Sequence, residues 1–381
     1  MKYVGLLNSI QNGDWSEFET DVNDQRRFIN ELGEPSDDYD RSYKQYLCQN
    51  YFVKNKKKII LLDVLSFLLA PITILFLYIK GLSKCRVEKK QAIITFKGMP
   101  EVVPVSLREK YDIYEVSYEE GASLGIDDLS FILNLYFRFW KHPYFAAKSI
   151  IKVSCYSFFI KKYAPTAIIT FGEYSYTSSI LTIYCHKRNI KHIDIMHGEK
   201  TYFIRDSYFH FDKCYVWDQH YVDLFLALKA EPTQFYVEVP PSIKIDCSKF
   251  YNDSYHADIK YYLATYNDEE LKKIVSQMEM CKKKGYTVAY RPHPRYSNLS
   301  LLQKYVDEKE IEKPNQVPIR ESISSLEYAV GSCSTVLTQA YFSGKKVILD
   351  DVAFEYQYKE LSKRAYILSS YNLCKLSEFT K

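Results

Sequence analysis

Apolar and polar positions change rhythm twice along the chain. Up to residue 50 the pattern is polar, helical in pieces, and loop-like around Pro35 in the cluster Glu34-Pro-Ser-Asp-Asp-Tyr-Asp40. A 21-residue apolar run then extends from Ile59 to Ile79. Beyond residue 90 short apolar runs alternate with helical patterns. Gln91–Phe96, Asp112–Ser117, Thr166–Phe171, His192–Met196 and Lys213–Trp217 read as strands. Helices are expected over 128–162, with an interruption near Pro143, over Ser178–Arg188 and over Gln219–Lys229. A break at Pro240-Pro241 opens a second set. Its strands are Lys260–Ala264, Thr287–Arg291, Tyr328–Val330 and Lys346–Leu349, with helices over Glu269–Lys284, Leu299–Val306 and Val336–Phe342. This alternation is that of parallel sheets with crossover helices. The expected organisation is an N-terminal helical appendage over 1–90 and two Rossmann-like α/β domains over 91–240 and 241–381, with a cleft between them. Ligands of such sheets bind beyond the strand C-termini.

Charge narrows the partners. The 51 basic residues nearly balance the 47 acidic ones, leaving +4 on 381 residues, which excludes a dedicated nucleic-acid binder. The nine cysteines are widely spaced and form no CxxC, so a disulfide framework or Cys-rich zinc site is not expected and a reducing cytoplasm is the simpler reading. The start, MKYVGLLNSIQNGDW, lacks the long apolar run of a secretory signal. The apolar run is long enough to cross a bilayer. Asp63 inside it would cost about 2.5–3.5 kcal/mol in lipid, Pro71 interrupts it, and basic residues flank both ends. The expectation is a kinked helix lying in the inner leaflet, with residues 54–90 on anionic head groups. A buried core helix and a true span are the alternatives.

GxGxxG, Walker A and HExxH sequences are absent. Asp38-Tyr39-Asp40 has no strand before it and reads as a solvated loop. Tyr290-Arg291-Pro292-His293-Pro294-Arg295 ends the TVAYR strand. Its prolines fix the backbone around His293, and Arg291 and Arg295 add positive charge, which suits stabilising a phosphate leaving group. Gly331-Ser332-Cys333-Ser334-Thr335 precedes a helix, where hydroxyls and backbone N–H groups receive an anion. Met196-His197-Gly198-Glu199-Lys200 ends the HIDIM strand. Glu199 is the preferred base for an acceptor hydroxyl and His197 the next, with Glu173 after TAIITF and Glu120 in Glu119-Glu120-Gly121 as further candidates. His186 and His192 read as ordinary surface or core histidines. No metal site stands out.

The order of these motifs over about 165–350 (HG, then R-x-HP, then a Ser/Thr cluster before a helix) resembles the GT-B bacterial transferases that use cytidine nucleotides. It is most similar to the sialyltransferase and polysialyltransferase group, whose signatures are an acidic-acidic-glycine motif, His-Pro and a Ser/Thr pair. It is also similar to the polyol-phosphate transferases of teichoic acid and capsule synthesis. The resemblance implies that His293-Pro294 contacts the nucleotide phosphate and that Ser332, Ser334 and Thr335 form its phosphate site. The chain departs at the base, because no acidic pair precedes Gly198. The expected function is metal-independent, inverting transfer of a sugar, foremost from a CMP-sugar such as CMP-sialic acid, to a glycan or lipid-linked acceptor of capsule, lipopolysaccharide or O-antigen. The place of action is the cytoplasmic face of the inner membrane. A CDP-polyol phosphotransferase, a sugar-nucleotide epimerase and a non-catalytic nucleotide-binding envelope protein are the alternatives.

Overall fold

Isoleucine-rich runs with no polar alternation need cover on both faces, and a computed structural model describing residues 20–83, 85–371 and 373–381 shows what covers them. The N-terminal stretch read above for a secretory signal lies outside the described residues. Two α/β units form: residues up to His197 with Phe203–Glu238, and Gly198–Tyr202 with Val239–Lys381.

In the first unit, β1 (Ala92–Ile94), β2 (Ile113–Glu115), β3 (Ala167–Thr170), β4 (Lys191–Ile195), β5 (Lys213–Val216) and β6 (Phe235–Val237) form one sheet in the order β2-β1-β3-β4-β5-β6. Every neighbouring pair is parallel. Ile93 and Ile168 pack on one face with Phe145, Val153, Tyr156 and Phe159 of the helix Pro143–Tyr163. Ile94, Ile169, Ile193 and Ile195 pack on the other. That helix closes on Ala164 in the left-handed region, φ 42°.

The N-terminal helices are built into this unit, where an appendage was expected. Tyr46 of the helix Asp38–Tyr51 lies in the helical core. Arg41 pairs with Glu231 at 2.6 Å, and the Ser42 hydroxyl accepts the Ile180 N–H at 3.1 Å. Hydropathy conceals the docking because much of it is polar. Asp38 and Asp40 occupy the first turn of this helix rather than a loop, and Asp38 meets His210 at 2.7 Å.

The apolar run forms one helix, Lys56–Gly81. Pro71 removes one backbone bond but does not end it, since the helix docks along the helix Pro143–Tyr163. Leu62, Ala70 and Leu77 are buried, while Leu61, Leu68, Ile72 and Phe76 remain exposed, so the buried-core alternative does not hold. Asp63 has a protein partner: its Oδ1 accepts the Tyr144 N–H at 3.0 Å, in the first turn of the neighbouring helix, where the dipole favours a carboxylate. At the other end the Leu124 N–H donates to the Leu77 carbonyl at 3.0 Å. A Cβ on Gly81 would collide with the Leu124 carbonyl, so this approach requires glycine.

In the second unit, β7 (Ala257–Tyr262), β8 (Val288–Arg291), β9 (Leu326–Gly331), β10 (Lys346–Leu349) and β11 (Cys374–Lys375) form a parallel sheet in the order β11-β10-β9-β7-β8. The helix Asp268–Lys283 begins with a reciprocal Asn267–Glu270 capping box and buries Leu271, Ile274, Met278 and Cys281. Two Rossmann-like units in one chain are the GT-B-like α/β class expected from the alternation.

Candidate functional site

In the first unit, the loops after β3 and β4 emerge from the same edge because those strands are parallel neighbours. Gly172 follows β3, and its N–H donates at 2.6 Å to Asp194, which is fully buried in β4. The Ser178 hydroxyl donates to the Gly172 carbonyl at 2.6 Å. The N-terminal helix clamps the next two residues: Gln45 Nε2 donates to the Glu173 carbonyl at 2.8 Å and Gln49 Nε2 to the Tyr174 carbonyl at 2.6 Å. After β4, Trp217 Nε1 donates to the Met196 carbonyl at 3.1 Å.

These restraints bring two of the candidate bases together. Glu173 has no exposed surface, and its Oε1 lies 3.6 Å from Nδ1 of His197, whose side chain is 36% exposed. Phe171 stacks on the imidazole at 4.5 Å between centroids. A buried carboxylate behind Nδ1 favours a proton there and stabilises the imidazolium, which directs base chemistry to Nε2.

The other two candidate bases have different surroundings. Glu120 accepts from the Tyr163 hydroxyl at 2.5 Å, from Ser117 N–H at 3.0 Å and from Lys162 at 3.3 Å. Burial alone would raise its pKa, but these bonds hold it below the usual carboxylate range. Glu199 belongs to the second unit, and burial pushes its carboxyl up to about 8 against an opposing hydrogen bond from Tyr366. Burial thus favours its protonated form near neutral pH. A raised folded pKa means that its contribution to stability is complete below the unfolded value near 4.5 and is lost as pH rises towards 8. Glu199→Gln lacks that loss. Denaturant melts are therefore expected to show its stability relative to wild type increasing by about 2–4 kcal/mol between pH 5 and pH 8. A difference independent of pH would contradict this.

In the second unit, the turn after β8 is pinned at three points. The His293 N–H donates to the Ser297 hydroxyl at 2.8 Å, and that hydroxyl donates to the Ala264 carbonyl beyond β7 at 2.8 Å. Nδ1 of His293 accepts the Arg295 backbone N–H at 3.1 Å, so in the neutral ring the proton sits on Nε2 as a hydrogen-bond donor. Tyr296 stacks on the ring at 4.4 Å. Pro294 and Arg295 are exposed. Arg291 is buried, bonded to Glu312 at 2.5 Å and to the Val317 carbonyl at 2.9 Å. Glu312 also holds buried Lys260 at 2.6 Å. This arrangement gives Arg291 a fold-holding position.

Gly331 to Thr335 leave β9 at the same edge. A Cβ on Gly331 would come within 3.1 Å of the Tyr262 carbonyl. Ser334 caps the helix Thr335–Phe342 by accepting the Val336 N–H at 3.1 Å, Ser332 is buried and Thr335 is exposed. Strands β8 and β9 flank β7, so the histidine turn and the hydroxyl turn are about 10 Å apart in strand spacing. A phosphate with its ester oxygens spans much of that interval, with the helix N–H groups on one side and an imidazole on the other.

His192, buried in β4, bonds Tyr156 and Thr182, and burial lowers its pKa to about 3; His186 pairs with Asp212 at the surface. Among the described residues no group of three or more His, Cys, Asp or Glu is placed to hold a metal ion. The sequence reading missed Gln45, Gln49 and the cationic side chains Lys148, Lys152 and Arg205, which line a cavity of the first unit. A signal for the lysines existed: two Lys four apart in the largely apolar stretch Tyr144–Val153.

Solved structures similar to this chain include UDP-GlcNAc 2-epimerase from Methanocaldococcus jannaschii, at 14% identity and a TM-score of 0.40, over 69% of this chain and 83% of that one. The lipopolysaccharide outer core galactosyltransferase WaaB aligns at 14% identity and 0.39, over 70% and 81%. The wall teichoic acid polymerase TagF H444N variant aligns at 11% identity and 0.40, over 87% and 83%. No family model matches the chain. No curated protein matches it either.

Proposed function

We propose that this protein is a membrane-associated glycosyltransferase that moves a sugar from a cytidine-nucleotide donor, foremost a CMP-linked nonulosonate such as CMP-sialic acid, to a lipid-linked or glycan acceptor of the bacterial envelope. The observation that carries the reading is the imidazole of His197 backed by the buried carboxylate of Glu173 at the C-terminal edge of a parallel sheet. A hydroxyl acceptor needs such a base. Within the first unit, His197 Nε2 is the group to take an acceptor's proton as its oxygen bonds the anomeric carbon and the bond from that carbon to the phosphate oxygen breaks. Within the second unit, the His293 Nε2–H and the N–H groups of the hydroxyl turn are the donors for a phosphate. No metal enters this scheme.

The membrane contact rests on two neighbouring segments. The exposed face of the helix Lys56–Gly81 has Lys56, Lys57 and Lys58 at one end and Lys80 at the other. The chain from Leu124 to Tyr144 is tied to both of its ends by the Leu77 and Asp63 hydrogen bonds and exposes Leu133, Phe137 and Trp140. An amphipathic surface with an interfacial Trp and flanking lysines suits the cytoplasmic leaflet.

Titration of the detergent-solubilised protein with CMP, CDP, UDP and GDP tests the donor assignment. CMP is expected to bind at least ~10-fold more tightly than UDP or GDP, a difference of about 1.4 kcal/mol. Preference for UDP or GDP would overturn it, and preference for CDP would favour the polyol-phosphate alternative.

A further inference from the structure

Tyr296 stands on the turn that carries His293 and is 61% exposed. One face of its ring lies on the imidazole, with centroids 4.4 Å apart and planes 23° from parallel. The backbone on both sides of it is fixed. The Arg295 N–H donates to Nδ1 of His293 at 3.1 Å, and the Ser297 N–H donates to the His293 carbonyl at 3.3 Å. The Ser297 hydroxyl ties the same turn to the Ala264 carbonyl at 2.8 Å. Pro292 and Pro294 restrict the chain that enters it. The ring is therefore held in place while its outer face meets solvent. A tyrosine gives a large, rigid contact area at low entropic cost. An aromatic face already ordered and left open suits a second flat ring, which can stack on it with little further ordering of the protein.

We propose that the outer face of Tyr296 stacks the base of the nucleotide whose phosphate meets His293. The order of groups in a nucleotide matches the order along this turn. The imidazole presents Nε2–H to a phosphate oxygen, and the tyrosine ring lies one stacking distance away. A base in van der Waals contact with the outer face, about 3.5–4 Å further on, lies two ring spacings from the imidazole, an interval that a ribose bridges. Every base has a π face, so the ring supplies affinity for a nucleotide whichever base it carries. Ribose and phosphate have no π face, so the same ring separates a nucleotide from a sugar phosphate. Tyr296 touches the base and not the reacting atoms, which makes it a binding residue. The assignment rests on the nucleotide-donor reading of the His293 turn.

The test is calorimetric titration of the detergent-solubilised full chain with CMP, UMP and GMP, and titration with ribose 5-phosphate followed by phosphorus NMR. Tyr296→Ala is expected to weaken the best-bound nucleotide about 5- to 100-fold. Ribose 5-phosphate should bind wild type and Tyr296→Ala within about twofold of each other, because Arg295 and Ser297 still hold the imidazole. Tyr296→Phe keeps the ring without its hydroxyl and should bind the nucleotide as wild type does. Superimposable nucleotide isotherms for wild type and Tyr296→Ala would overturn the proposal. So would an equal loss for ribose 5-phosphate, which would mean that the ring acts on the phosphate through His293. If UMP or GMP binds best and shows the Tyr296→Ala loss, the cytidine assignment fails and the stacking role stands. If CMP binds best and shows no such loss, the stacking role fails and the cytidine assignment stands. Absence of binding by all three nucleotides would overturn both.

Discussion

Replacing His293 by Ala is expected to reduce turnover by about 10²- to 10⁴-fold, while CMP affinity falls by no more than about tenfold. The asymmetry follows from the geometry. Nδ1 of His293 is occupied by the Arg295 N–H, so the ring presents one donor, Nε2–H, in a fixed direction. Tyr296 stacking and the Ser297 bond to the backbone leave the ring little freedom to search. A preorganised donor acts most strongly where charge develops, on the phosphate oxygen as the sugar departs. In the proposed scheme the helix N-terminus capped by Ser334 also holds the nucleotide, so ground-state binding is expected to be largely retained. His293→Gln keeps an N–H donor on a more flexible side chain and should fall between wild type and Ala. Rapid-quench measurement of CMP release at saturating donor reads the effect. A fall in affinity with turnover unchanged would assign His293 to binding alone.

His197→Gly is expected to show a loss of similar size, about 10²- to 10⁴-fold in turnover. It should also be partly restored by added imidazole. The ring is 36% exposed and lies flat on Phe171, so its removal leaves an open aromatic shelf that a free imidazole can occupy. A residue that only packed would not be replaced by a base in solution. Glu173→Gln should cost less, about 10- to 100-fold in turnover with KM nearly unchanged, because Glu173 acts through His197 as a positioning residue. Imidazole should not restore that variant. Restoration of neither, with intact folding by circular dichroism, would leave His197 with a structural role.

Much of the scaffold was legible because parallel strands covered on both faces must be apolar throughout. The run TAIITF and the observed Ala167–Thr170 differ only at their ends, and Lys346–Leu349 coincides with its expectation. Phe235–Val237 escaped notice because an edge strand of three mostly exposed residues carries almost no hydropathy signal. The apolar helix was legible as a segment, but the environment of Asp63 was not, since its partner is a backbone N–H 81 residues away. The site was legible in types more than in roles. His197, Glu173 and His293 stood at strand ends, where parallel sheets place chemistry. What separates Glu173 from Glu199 is surroundings: one meets an imidazole, and the other is desolvated until it keeps its proton. Arg291 looked like a phosphate ligand by its place in R-x-HP, but its acid, Glu312, lies 21 residues further on. Gln45 and Gln49 are conveyed by no motif, because their meaning is the loop that they meet in three dimensions, and the two lysines of the cavity show only as a pair four apart.

The most direct test of the central claim is mass-spectrometric detection of sugar transfer from CMP-sialic acid to inner-membrane lipid-linked glycans, using wild-type, His197→Gly and His293→Ala proteins. The account predicts an acceptor mass increase of one sugar residue with stoichiometric CMP, present with wild type and lost with both variants. Unmodified acceptors with wild-type protein across CMP-, CDP-, UDP- and GDP-activated donors, or equal product from all three proteins, would contradict it.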